Sequence, residues 1–117
     1  MAYKVVLTPQ AIADADRAAE YIRQFAPETA TRWFDRLLEA ILSLTELPKR
    51  CPLAPETATL GMELRQLFYG KRRGTYRIVF RIYEETPGEG IVRVVAIRHG
   101  ARDRIDREAL DSEEREV

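Results

Sequence analysis

The stretch from Thr75 to Tyr83 constrains this chain more than any other. Tyr76, Ile78, Phe80 and Ile82 alternate with Arg77, Val79, Arg81 and Tyr83, the period of two that a β-strand imposes on its faces. A turn bracketed by glycines, Gly70-Lys71-Arg72-Arg73-Gly74, precedes it, and Thr86-Pro87-Gly88-Glu89-Gly90 follows it as a hairpin turn. The flanking runs Leu64–Phe68 and Ile91–Arg98 complete three antiparallel strands. The last is almost continuously apolar, as a central strand should be. The apolar set of the middle strand must meet a second layer, which leaves Arg77 and Arg81 expected on the opposite, solvent-facing side.

The second layer lies upstream. Thr8-Pro9 is a helix start, since a threonine oxygen can accept from a free N–H and proline fits the first turn. Ile12, Ala15, Ala19 and Ile22, widened by Ala11, Ala18 and Phe25, predict a helix over Pro9–Phe25 with Asp14, Arg17, Glu20 and Gln24 facing outward. Ala26-Pro27 breaks it. Ala30, Trp33, Phe34, Leu37, Leu38, Ile41 and Leu44 then form a second stripe that closes at Leu47-Pro48, and the short link favours an antiparallel helix pair. Pro48 to Gly61, with three prolines and no periodicity, reads as a loop. Tyr3–Thr8 reads as a first strand.

The order is β-α-α-β-β-β, an α+β class: an N-terminal strand, an antiparallel helix pair, then a three-stranded antiparallel meander in one small, mostly antiparallel sheet. Residues 1–104 make one domain and residues 105–117 an acidic tail.

Charge is informative only by location. The 117 residues carry 19 basic and 19 acidic side chains, so there is no global polyanion-binding signature. Residues 61–83, however, carry Arg65, Lys71, Arg72, Arg73, Arg77 and Arg81 against Glu63 alone. Residues 91–104 carry Arg93, Arg98, Arg102 and Arg104 against Asp103. These segments are neighbours in the expected sheet, and a field that local attracts phosphate groups or an acidic partner even on a neutral molecule. The tail has six acids and two bases. One cysteine, Cys51, and one histidine, His99, leave no metal-ligand cluster, no cofactor motif and no internal disulfide. The expected setting is the cytoplasm, with no membrane association and no small-molecule substrate.

The order of elements, the strand Gly74-x-Tyr76-Arg77-Ile78-Val79-Phe80 and the ending Val94-Val95-Ala96-Ile97-Arg98-His99-Gly100-Ala101-Arg102-Asp103 resemble the RelE/ParE superfamily of toxins from type II toxin–antitoxin and plasmid-stabilisation systems. The resemblance runs from Tyr3 to about Arg104. It implies a toxin neutralised by a cognate antitoxin, acting either by cutting ribosome-bound mRNA, without a metal, or by inhibiting DNA gyrase. A non-enzymatic, inactive toxin-like binding module is the alternative. In the RNA-cutting branch, an arginine on the Tyr-Arg strand and another after the last strand hold the scissile phosphate; by motif position these are Arg77 and Arg102, helped by Lys71, Arg72 and Arg73. Where that branch carries an aromatic or histidine near the C-terminus, this chain reads Ile105-Asp106-Arg107-Glu108.

Cleavage of RNA through its own 2′-OH needs a base, cations for the crowded phosphate and an acid for the leaving oxygen. Arginines supply the cations by bidentate contact with phosphate. His99 alone has an ordinary pKa suited to proton transfer near neutrality. The candidate site is therefore Arg77, Arg102 and His99 for chemistry, with Lys71, Arg72, Arg73 and Arg104 for phosphate or partner binding.

Overall fold

The computed structural model describes residues 3–70, 75–100 and 104–105. The elements, in order, are β1 (Lys4–Leu7), α1 (Pro9–Phe25), α2 (Pro27–Leu42), α3 (Glu56–Leu60), β2 (Arg65–Tyr69), β3 (Tyr76–Thr86) and β4 (Glu89–His99). The four strands form one sheet in the order β1-β4-β3-β2. β4 pairs antiparallel with β3, which pairs antiparallel with β2, while β1 runs parallel to β4 from Lys4↔Ile91 to Leu7↔Val94. The α+β order expected from the sequence is the one observed.

Local chemistry sets the boundaries. Thr8 caps α1: its Oγ1 accepts from the Ala11 N–H at 3.1 Å, and Pro9 takes the first helical position. The β3–β4 hairpin turns at Pro87-Gly88, with Gly88 at φ 85°. A register shift between Val79 and Phe80 makes Val95 an extra residue on β4, so that Val95 and Ala96 both join the same core.

The sheet separates two cores. On one face, Ile78, Phe80, Val92, Val94 and Ile97 pack against Ala11 and Ala15 of α1 and Leu37 and Ile41 of α2, with Leu44 and Cys51 alongside. On the other, Val79, Val95 and Ala96 pack against Ala54, Leu60, Leu64 and Ile105. This second core corrects three expectations. The face opposite the helix pair is not open to solvent, because Ala54–Leu64 folds back across it. That stretch is not a plain loop: it follows a 3-10 turn at Pro48–Arg50 and contains α3. Ile105, the first residue of the tail, is buried within the second core at 5% exposure.

α1 also sits rotated from the expected stripe. Its buried side chains are Ala11, Asp14, Ala15, Ala18 and Ala19, whereas Ile12 and Phe25 are 50% and 73% exposed. Asp14, expected to face outward, is buried because β4 runs on past the end of β1. Its Oδ2 accepts the Ile97 N–H at 3.0 Å, and the Thr8 N–H reaches the Val94 carbonyl at 3.0 Å. The helix thus completes a strand edge that would otherwise hold unpaired, buried backbone groups.

Candidate functional site

Of the predicted residues, Arg77 and His99 lie at the end of the sheet where β3 begins and β4 ends. Tyr76 lies opposite His99, and Arg77 lies opposite Arg98. Adjacent residues of a strand face opposite sides, so this register sends His99 and Arg77 to different faces.

On the helix side, the His99 and Tyr76 rings lie 4.8 Å apart, and Trp33 meets Tyr76 edge-on at 5.2 Å. Together with Asp14, Arg17, Ala18, Tyr21 and Ile97, Tyr76 and His99 line an open cleft of about 340 Å³. Burial raises the pKa of the Tyr76 hydroxyl, and Tyr21 adds to the shift. Asp14, at the cleft's base, also accepts from Gln10 Nε2 at 2.7 Å and Arg17 Nη1 at 3.2 Å, and Arg98 Nε lies 3.6 Å from its Oδ2.

On the other side, Arg77 is 1% exposed, which corrects the expectation that it faces solvent. Its Nη1 and Nη2 donate to the two carboxylate oxygens of Glu56, at 3.0 and 2.8 Å. Nη1 also donates to Gln66 Oε1 at 3.0 Å, and Nε donates to the Gly100 carbonyl at 3.2 Å. The Ile105 N–H donates to Glu56 Oε2 at 3.1 Å. Burial by itself would raise the Glu56 pKa. The Arg77 and Ile105 hydrogen bonds outweigh it and hold the carboxyl below its usual range. The physical reason for the enclosure is charge: directly opposed Arg77 and Arg98 would repel, and each is drawn to a separate carboxylate, Glu56 or Asp14.

Farther along this face, Arg81 and Arg93, also opposed, each place a guanidinium carbon 4.9 Å from the centre of the Tyr83 ring. Arg104 and His99 are exposed. Lys71, Arg72, Arg73 and Arg102 lie outside the described residues. Among the described residues no group of three or more His, Cys, Asp or Glu could hold a metal ion, and no helix is long and apolar enough to cross a membrane.

Sequence reasoning missed Glu56, Gln66 and Asp14. Asp14 had a signal: it lies three residues after Ala11 and four before Ala18, on their face of the helix. Glu56 had none, since nothing in a proline-rich stretch without periodicity marks one carboxylate as the partner of an arginine 21 positions away.

Comparison with known proteins is consistent in direction. The family described as the ParE toxin of the type II toxin–antitoxin system parDE matches residues 5–104. Toxin RelE2 of Caulobacter vibrioides is 40% identical over 99 residues, covering 85% of this chain and 97% of that protein. A chain from the chromosomal ParDE TA system of P. aeruginosa superposes with a TM-score of 0.63, covering 83% of this chain and 95% of that one. At 17% identity it speaks for the fold alone.

Proposed function

This chain belongs to the ParE toxin family of type II toxin–antitoxin systems, and from that membership we propose that it arrests growth by binding and inhibiting DNA gyrase rather than by cutting mRNA. The observation that supports this reading is the enclosure of Arg77. A scissile phosphate would have to displace Glu56 from a bidentate pair whose side chains are 1% and 2% exposed. Removing one partner of such a pair leaves a buried charge uncompensated. His99, the only histidine, stands on the other face of the sheet from Arg77. A base and a cation on opposite faces of the sheet speak against RNA cleavage built on the His99–Arg77 pair.

What remains accessible suits a protein partner. The sheet end presents the Tyr21–Tyr76–His99 cleft and exposed Arg104, with Lys71, Arg72, Arg73 and Arg102 on the segments that adjoin it in sequence. Aromatic and arginine side chains of this kind carry binding energy in protein interfaces. A cognate antitoxin, bringing acidic side chains, is the partner expected to cover the same surface in the resting cell.

Purified toxin added to a DNA supercoiling reaction is the direct test. Inhibition of supercoiling, relieved by the antitoxin, with full-length transcripts in arrested cells, is the expected result. Ribosome-dependent cuts at fixed codon positions, with supercoiling unaffected, would overturn it.

A further inference from the structure

We propose that Glu56 and Arg77 are positioning residues: one buried ion pair holds both Gly100, where β4 ends, and Ile105, and so sets where Arg104 stands on the target-binding surface. The proposal rests on the reading of that sheet end as the surface that meets the target.

The geometry is specific. Gly100 leaves β4 at φ 71°, a conformation that side chains strain to adopt, so the chain turns sharply there. Its N–H donates to the Thr75 carbonyl at 2.9 Å, and its carbonyl receives Arg77 Nε at 3.2 Å. Five residues later the Ile105 N–H is received by Glu56 Oε2, the oxygen that also takes Arg77 Nη2 at 2.8 Å. Gly100 and Ile105 are therefore fastened to two side chains that are fastened to each other. Ile105 adds an apolar anchor in the second core beside Val79 and Val95. Arg104, exposed, is the residue immediately before that anchor.

A pair whose only task were stability would not need this arrangement. Apolar side chains of similar volume would fill the space at no greater cost, because a buried ion pair roughly balances its own desolvation. What apolar residues could not do is accept the Ile105 N–H and donate to the Gly100 carbonyl. Binding surfaces are sensitive to such support, since the contact residue must be held within about half an ångström of its working position. Arg77 thus acts on the target through the backbone it holds, not through its own cation.

The test separates support from stability. The full-length double variant Glu56→Leu with Arg77→Met keeps the volume filled and discards both fastenings. It is expected to melt within about 8 °C of wild type and to keep the slow amide exchange of Phe80 and Val94. Its Ile105 amide should exchange about tenfold faster or more, and the concentration needed to inhibit supercoiling should rise about 10- to 100-fold. Arg104→Ala should reproduce the loss of inhibition with the Ile105 amide unchanged, and adding it to the double variant should cost nothing further. Full inhibition by a folded double variant overturns the proposal, as does an Ile105 amide that exchanges at the wild-type rate. If the double variant fails to fold, Arg77→Lys leaves a cation for Glu56 but no Nε donor for the Gly100 carbonyl; it is expected to weaken inhibition in smaller measure, and full inhibition by that folded single variant overturns the proposal as well. Failure of the target reading looks different: wild-type toxin then arrests growth while supercoiling proceeds. In that case growth arrest replaces supercoiling as the readout, and the exchange of Ile105 decides the positioning claim unchanged.

Discussion

The two faces of the sheet are built on different principles. The helix-side face is closed by shape: Ile78, Phe80, Val92 and Val94, all fully buried, meet Ala11, Ala15, Leu37 and Ile41 across an ordinary apolar seam. The other face begins with two pairs of opposed arginines, Arg77 with Arg98 and Arg81 with Arg93, and is closed by finding each cation a partner. Glu56 comes from α3, Asp14 from α1, and Tyr83 from the strand itself. Volume specifies the first face; the second adds charge compensation to an apolar core of its own. Charge compensation draws Arg77 and Arg98 into holding the fold, while Arg104 stays exposed.

Single deletions should not tell the faces apart; paired ones should. Phe80→Ala is expected to cost about 3–5 kcal/mol through lost burial and the cavity left behind. Arg77→Ala is expected to cost a similar ~3–5 kcal/mol, because Glu56 remains buried and unpaired. Replacing both partners, Glu56→Leu with Arg77→Met, should return most of that loss, to within about 1 kcal/mol of wild type. No second substitution opposite Phe80→Ala has that effect unless it refills the volume. Chemical denaturation of the four proteins is the measurement, and a double variant as unstable as Arg77→Ala would mean that the second face, too, is closed by shape.

The same contrast explains how much of the molecule is legible in its sequence. The alternation Tyr76, Ile78, Phe80, Ile82 and the cap at Thr8-Pro9 are local patterns, and they locate the strands, the first helix to its end residues and the apolar face. Hydrophobicity alone draws the stripe on α1 toward Ile12 and Phe25. The structure buries alanines there instead, because small residues allow the helix to approach the sheet closely. The second face depends on partners remote in sequence: Asp14 is 83 residues from the Ile97 amide it accepts, and Glu56 is 49 residues from Ile105. No periodicity records a pairing of that kind. The opposite facing of Arg77 and His99 is within reach of reasoning, but only with the β3–β4 register in hand.

Asp14 gives an intermediate case, since it is buried on the helix-side layer yet serves the edge of β4 and Arg98. Asp14→Ala removes the acceptor of the buried Ile97 N–H and the carboxylate nearest Arg98, and should cost about 2 kcal/mol. Asp14→Asn keeps an acceptor for the backbone and should cost roughly half as much, the remainder measuring the charge on Arg98. Equal losses in the two variants would assign the whole role to charge and place Asp14 with the second face. Hydrogen exchange at Ile97 distinguishes the contributions directly.

The smallest effect is expected where neither principle applies fully. Glu84, on β3 near the hairpin, is largely at the surface. Its Oε2 accepts from the Tyr3 hydroxyl at 2.6 Å and the Gly88 N–H at 3.3 Å, while Lys49 Nζ reaches Oε1 at 2.8 Å. These contacts, Lys49 first, lower its pKa from 4.5 to about 2. Because the folded-state value lies below the unfolded one, the contribution is fully present above about pH 4.5 and is lost as pH falls toward 2. The melting temperature of wild type should therefore exceed that of Glu84→Gln at pH 6, and the gap should close between pH 4.5 and about 2. Glu56 also titrates below its usual range, but it is common to both proteins and cancels in the difference. Added salt should narrow the gap at pH 6, since the Lys49 contact is exposed to solvent. A gap that stays constant down to pH 2 would mean that Glu84 contributes through the shape of its hydrogen bonds alone, and that charge compensation in this molecule is confined to the buried side of the sheet.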